Sequence, residues 1–247
     1  MVQNHRHATF VTAIVACLLE HHTRRLPVPS PTSVAELTEL GRERLSEHVF
    51  MREMLYSEVA NFHGLANMPD DPELALQVGR KIATGIIEPL KAAFGHVSIR
   101  SAYRSPSLNQ FCHDRHKELI AQGLTDGAYY CSDNVYGASR HIWDLRDAEG
   151  YCGGTVSLVV PWYLEQYEKT GDPRPLGWWI RDNLPDYAEV IFFPWLCAFN
   201  IRWYEGSPSK AVFIDDGGNF EDEKLTDASM ENFEGDHSDQ YPGFPKA

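Results

Sequence analysis

His96-Val-Ser-Ile-Arg-Ser-Ala-Tyr-Arg-Ser-Pro-Ser-Leu-Asn109 joins two kinds of periodicity within fourteen residues. Its first part, HVSIRS (96–101), alternates apolar and polar residues, as a strand half covered by core does. Pro106 then opens a helix predicted to run to about Gln122, since proline suits a first helical turn. Arg104 falls at the junction. A permanently charged, planar guanidinium at the end of a strand suits the binding of a carboxylate. The plainer alternative is an ion pair that ties the loop to the core.

Working outward from this junction, the residues before it are helical. Leu74, Val78, Ile82, Ile86, Leu90 and Phe94 recur every four residues and mark one buried face of a helix over 72–94. Pro72 suits its first turn, Gly95 ends it, and Pro89 predicts a kink or a split last turn. Ser33 and Glu36 form a capping box for a helix over 34–44, and a short helix is predicted over 51–61. The residues after the junction mix both periods. A Gly/Asn/Ser-rich loop (123–138) leads to a strand over 155–160, helices over 162–170 and 176–184, and paired strands over 189–193 and 197–204. A further strand is predicted over 210–214. Helices first and strands later give an α+β class, a small antiparallel sheet flanked by helices. The divisions are an N-terminal arm with a proline-rich linker (1–33), the α+β domain (34–214) and an acidic C-terminal strap (215–247).

The formal charge of −13 excludes the basic patches that hold nucleic acid or anionic membrane. Ten acidic residues between Asp215 and Asp239 face only Lys224, so that segment carries −9 and the rest of the chain an ordinary −4. The aromatics Phe220, Phe233, Tyr241 and Phe244 suit a strap that wraps over the domain. Five scattered cysteines, with no C-x-x-C pair, slightly favour a reducing, cytoplasmic compartment over export. The apolar run Ala8 to Leu19 has the length of a signal core or of a short packing helix, and is too short to span a bilayer.

LSEHVFMREMLYSE (45–58), IIEPLKAAFG (86–95), HVSIRSAYRSPSLN (96–109) and SRH (139–141) together resemble the zinc D-Ala-D-Ala carboxypeptidase and endolysin peptidase family. The resemblance covers about residues 45–205 and implies a hedgehog/DD-peptidase-like fold. In that family an S-x-H-x-x-G-x-A-x-D motif gives a His and an Asp to zinc, and a later strand gives a second His. A carboxylate upstream of that second His is the general base, and the Arg of a Y-R-S segment holds the anionic substrate. Ser139, His141 and Arg104 match. The family Gly, Ala and ligand Asp positions fall on Asp144, Arg146 and Ala148, with Asp147 one place early. On the late strand Asn200 stands at the second His position, or Tyr204 in a shifted register, and the acid position falls at Phe192 and Phe193. Asn is a poor zinc ligand, because a neutral amide oxygen is a weak donor to this borderline-soft ion.

Three-residue spacing would place His141, Asp144 and Asp147 on one side of a helical turn, so one reading is a metal, zinc by the resemblance, held by His141, Asp144 or Asp147 and a distant third ligand such as His237. The residues themselves equally allow a polar network in which Asp144 and Asp147 pair with Arg140, Arg146 or Arg104. Cys112, His113 and His116 form a second ligand-like cluster on a helix, without a matching pair elsewhere. Asp236-His237 suits a carboxylate–histidine dyad or a solvated neighbour pair. Trp162, Tyr163, Trp178, Trp179, Trp195 and Trp203 suit a ligand groove or, more simply, core. Two functions follow. One is a metallopeptidase of cell-wall peptides with an altered ligand set. The other is a non-catalytic binding or structural module around Arg104, Ser139 and Asn200, with a peptide or peptidoglycan-like ligand.

Overall fold

The computed structural model describes residues 30–131, 141–206, 208–215 and 223–246. The N-terminal run Ala8 to Leu19 and Ser139 lie outside them. In chain order the helices are α1 (Val34–Arg42), α2 (Met51–Leu55), α3 (Glu58–His63), α4 (Pro72–Ile82), α5 (Glu88–Phe94), α6 (Pro106–Ala121), α7 (Pro161–Thr170) and α8 (Arg174–Asn183). The strands are β1 (Ser98–Ser101), β2 (Gly153–Val159), β3 (Glu189–Phe192), β4 (Phe199–Tyr204), β5 (Ala211–Ile214) and β6 (Glu223–Thr226). The chain is α+β.

The six strands form one sheet in the order β1-β2-β4-β3-β5-β6. It is mixed, which corrects the antiparallel expectation: β5 runs parallel to β3, with Glu189 opposite Ala211 and Phe192 opposite Ile214. The reason is the direction of β4. That strand runs back along β3 to finish near Glu189, with Arg202 paired to that residue. Its other edge is taken by β2. The next strand must therefore enter at the Glu189 end of β3 and run the same way. The acidic strap then supplies β6, antiparallel to β5. The predicted strand 197–204 starts two residues late because Leu196 (φ 59°) and Cys197 (φ 48°) turn through the left-handed region.

The four-residue periodicity of 72–94 holds: Leu74, Val78, Ile82, Ile86, Leu90 and Phe94 are all buried. Asp71 caps α4 by accepting from the Leu74 N–H at 3.1 Å. Where a kink was expected, a π-helical turn (Ala83–Ile87) precedes Pro89, and the Glu88 N–H reaches back five residues to the Ala83 carbonyl. That lengthened turn lets the apolar face pass Pro89 unbroken. Gly95 ends α5 at φ 78°. The helix over 51–61 is split in two, with Tyr56 extended and Ser57 capping α3 through the Ala60 N–H.

The main core lies on one face of the sheet, where Val156, Leu158, Val190, Phe192, Phe199 and Ile201 meet Val78, Ile82, Trp179 and Tyr163. Trp143 lies so close to β2 that a Cβ on Gly154 would come within 2.4 Å of its ring. Gly154 is needed for that approach. The other face carries smaller clusters, Ile191 with Ala211 and Phe213, and Leu108 with Ala60 and Cys112. This second face holds the site.

Candidate functional site

Because side chains alternate along a strand, residues paired in register share a face. Ser101 pairs with Ser157, and Ser157 with Asn200. Three neighbouring strands thus set a row of small polar side chains on the face opposite the main core. This row is part of the lining of a cavity of about 1090 Å³ between the sheet, α3, α6 and the turn Thr125–Tyr129. His141 and Arg104 line it too.

The quoted junction is held from several sides. Tyr103 N–H donates to the Met54 carbonyl at 3.0 Å, and Arg104 N–H to the His141 carbonyl at 2.7 Å. Asn67 clamps both ends, its amide donating to the carbonyls of Leu55 and Tyr103 while its oxygen accepts from the Ser105 N–H. Ser105 in turn caps α6 by accepting from the Leu108 N–H. The Arg104 guanidinium donates to Asn109 Oδ1 at 3.3 Å, which orients it from the first turn of that helix.

His141 is buried, and its Nδ1 lies 2.6 Å from the Ala102 carbonyl. A carbonyl only accepts, so Nδ1 carries the hydrogen. That is the way a protein usually fixes an imidazole so that Nε2 does the chemistry. The charges around it are basic. Arg100, Arg104 and Arg115 line the cavity against Glu58 and Asp126. Arg115 is paired with Glu118 at 2.6 Å, so Arg104, with Arg100 beside it, is the cation that suits an anionic ligand here.

The two aspartates lie apart from this lining. Residues 141–147 are an irregular loop, so the three-residue helical spacing of His141, Asp144 and Asp147 does not apply. Asp144 is buried, and its Oδ2 accepts from the Asp70 N–H at 2.7 Å, the Asp71 N–H at 3.4 Å and the Tyr103 hydroxyl at 3.1 Å. It fastens the loop to the start of α4. Burial pushes its carboxyl above the usual range against the pull of those donors. Asp147 accepts from the Tyr204 hydroxyl at 2.6 Å and the Tyr151 N–H at 2.8 Å, and these donors hold its carboxyl below the usual range. Of the partners expected for these aspartates, Arg140 lies outside the described residues and no ion pair to Arg104 or Arg146 forms; Arg146 pairs with Glu205 instead.

Among the described residues no three His, Cys, Asp or Glu side chains group as a metal site. Of the donors named from the sequence, His141 lines the cavity, Asn200 offers only an amide, and Asp144 Oδ2 is held by two backbone amides and the Tyr103 hydroxyl. At the position of the general base, Phe192 is in the core and Phe193 lines the cavity. His237 is elsewhere, with Nδ1 2.9 Å from Asp182 and its ring stacked on Trp178. Its carboxylate partner is thus Asp182, not Asp236. His116 donates from Nδ1 to the Gly127 carbonyl and docks the turn against α6. None of the six aromatics considered for a groove lines the cavity.

Sequence reasoning missed Arg100 and Arg115 as cavity residues, and missed Asn67. Arg100 sits in the quoted stretch, so its proximity to Arg104 was available. Asn67 carried no signal, because a clamp made of backbone carbonyls has no sequence pattern. Compared with family models, curated proteins and solved structures, the chain has no match. No helix among the described residues is long and apolar enough to cross a membrane.

Proposed function

We propose that this chain is a binding module on a D-Ala-D-Ala carboxypeptidase-like scaffold, taking the carboxylate end of a peptide or peptidoglycan-like ligand in the Arg104 cavity. The observation that carries this reading is the convergence of Arg104, His141 and Asn200 on one cavity lined by three arginines. Arg104 supplies a fork for the carboxylate. Asn200, Ser157 and Ser101 supply neutral hydrogen-bonding groups along the floor. No step of hydrolysis is assigned to the described residues: Glu58, Asp126, His63, Cys112 and Cys131 also line the cavity, but no three such groups cluster there as a metal site among the described residues.

The test is calorimetric titration with a short peptide ending in D-Ala-D-Ala, as the free acid and as the C-terminal amide. The free acid is expected to bind and the amide to bind at least about tenfold more weakly, the usual loss for a charge-assisted contact. Equal binding of both, or binding of neither, would overturn the reading.

A second reading, a metallopeptidase with an altered ligand set, is favoured by the His141 ring, which is held at Nδ1 as metal-binding imidazoles are. Elemental analysis decides it: stoichiometric zinc lost in His141→Ala supports the peptidase, and protein free of metal after purification in zinc-supplemented medium opposes it.

A further inference from the structure

The four described cysteines are all free thiols, and they fall into two kinds. Cys152 and Cys197 are buried singly: the Cys152 thiol is pushed up to about 11 by burial and Glu205, and Cys197 is raised by burial. Cys112 and Cys131 are a pair. Cys112 comes from the second turn of α6, and Cys131 follows the turn Thr125–Tyr129 that docks on that helix. Cys131 packs against the small cluster that contains Cys112. Both line the cavity, together with Arg104. The Cys131 thiol also lies 3.5 Å from the carbonyl and the side-chain oxygen of Asn109, the residue that orients the Arg104 guanidinium.

We propose that Cys112 and Cys131 are a redox-active dithiol in the cavity wall, which a small hydroperoxide converts to a disulfide. Three features of the site support this. Cys131 already packs on the cluster that holds Cys112 and both line one cavity wall, so the bond joins neighbouring parts of the docked turn and helix. The neighbouring Cys131 thiol and the positive field of Arg104 both favour a thiolate at Cys112, against its burial. The opening is a cavity rather than open surface, which admits a peroxide to Cys112, itself only 2% exposed. In the first step the Cys112 thiolate attacks one oxygen of H₂O₂, the O–O bond breaks, and hydroxide leaves; Cys112 becomes a sulfenic acid. In the second the Cys131 sulfur attacks the Cys112 sulfur, expelling that hydroxide, which takes the Cys131 proton and leaves as water. Hydroxide from the first step takes up one proton, and the sum is two thiols and H₂O₂ going to one disulfide and two waters. Reduction by a small thiol reverses it.

This inference rests on the two sulfurs and their surroundings, and stands or falls separately from the peptide-binding reading. The test uses the full chain, reduced, desalted, and treated with a small excess of H₂O₂ at pH 7. Catalase then removes the oxidant, and the thiols are alkylated in denaturant before digestion without reductant. Mass spectrometry is expected to find the peptides of Cys112 and Cys131 joined, with Cys152 and Cys197 alkylated, and the link lost on adding dithiothreitol. In Cys131→Ser the reaction is expected to stop at a sulfenic acid on Cys112 that dimedone traps. In Cys112→Ser oxidation at Cys131 is expected to slow by at least about tenfold. Recovery of Cys112 and Cys131 as alkylated thiols after the peroxide treatment would overturn the proposal, as would a sulfinic acid on Cys112 in the native chain without the link. The wild-type digest alone decides this, so the result does not depend on either variant folding.

Discussion

The main-chain N–H of Arg104 donates to the carbonyl of His141 at 2.7 Å. These residues lie far apart in sequence, on the strand–helix junction and on the loop before β2, yet one backbone hydrogen bond fixes their side chains on a common wall. The bond makes the relative placement of guanidinium and imidazole a property of the backbone, insensitive to either side chain. Arg104 can therefore be changed alone and the change read as chemistry lost from the cavity, whereas changing His141 also takes the donor from the Ala102 carbonyl.

Arg104→Ala is expected to weaken binding of a carboxylate-ended peptide by about 10–100-fold, the range for losing hydrogen bonds to a charged group. Arg104→Lys is expected to fall between, since an ammonium keeps the charge and loses the fork. The unfolding midpoint should move little in either, because the backbone bond to His141 is retained. Calorimetry alongside urea denaturation checks both statements.

Asn200→Asp is expected to weaken the same ligand by at least about tenfold, because it places a carboxylate on the floor of a cavity that favours anions. Asn200→Ser, which removes volume but adds no charge, should cost less. The difference between the two variants should shrink at high salt, as screened charge effects do. Affinities measured at low and high salt test this.

Much of the fold could be read along the chain, and less of the site. The helix over 72–94, the junction at Arg104 and the paired strands 189–193 and 197–204 were legible because each is a local periodicity. The parallel strand β5 was not, because its direction depends on which edge of β3 was left after β2 and β4 had paired. In the site, Arg104, His141 and Asn200 are nameable from the sequence, and all three line one cavity. Asp144 and Asp147 were named with them, and the structure employs both as acceptors for backbone and tyrosine donors instead. Nothing in the one-dimensional pattern separates a carboxylate that will face a cavity from one that will cap the start of a helix across the molecule. The same holds for Cys112 and Cys131, scattered in sequence and joined only by the docking of a turn.

Asp144→Ala is expected to destabilise the fold by about 2–4 kcal/mol, because it strands the Asp70 N–H and the Tyr103 hydroxyl without their buried acceptor. Asp144→Asn keeps an acceptor and should cost less. The wild-type carboxyl is raised in the folded chain, so the folded state binds its proton more tightly than the unfolded state does. Its contribution is therefore greatest at pH below the ordinary value of 3.8 and declines as pH rises through the folded value. Stability of the Asn variant measured against pH should lack this decline.

Phe244→Ala is expected to cost about 1–2 kcal/mol, part of the value of fully burying a large apolar side chain, because Phe244 is half-buried. Phe244 packs its ring on Trp162 and Tyr163, with centroids at 5.1 and 5.2 Å, and the neighbouring Pro245 carbonyl accepts from Trp179 Nε1 at 2.8 Å. The strap is thus part of the folded unit, and its loss should lower the single unfolding midpoint. A separate early transition of the strap, with the midpoint of the domain unchanged, would contradict this.

Glu88 gives the opposite pH dependence to Asp144. Its burial works to raise it, but the Ser46 hydroxyl, the His48 ring and the His48 N–H outweigh that and bring the carboxyl down to about 2. A lowered carboxyl contributes stability that is present above its ordinary value of 4.5 and is lost as pH falls through about 2. Glu88→Gln is expected to remove this acid-side slope and to cost on the order of 1 kcal/mol at pH 7, a figure discounted for a side chain that still meets solvent. Urea midpoints of both proteins from pH 2 to pH 7 should therefore converge at the acid end and separate above pH 4.5. Parallel curves across the range would show that the carboxylate at position 88 does not anchor the 46–48 loop through its charge.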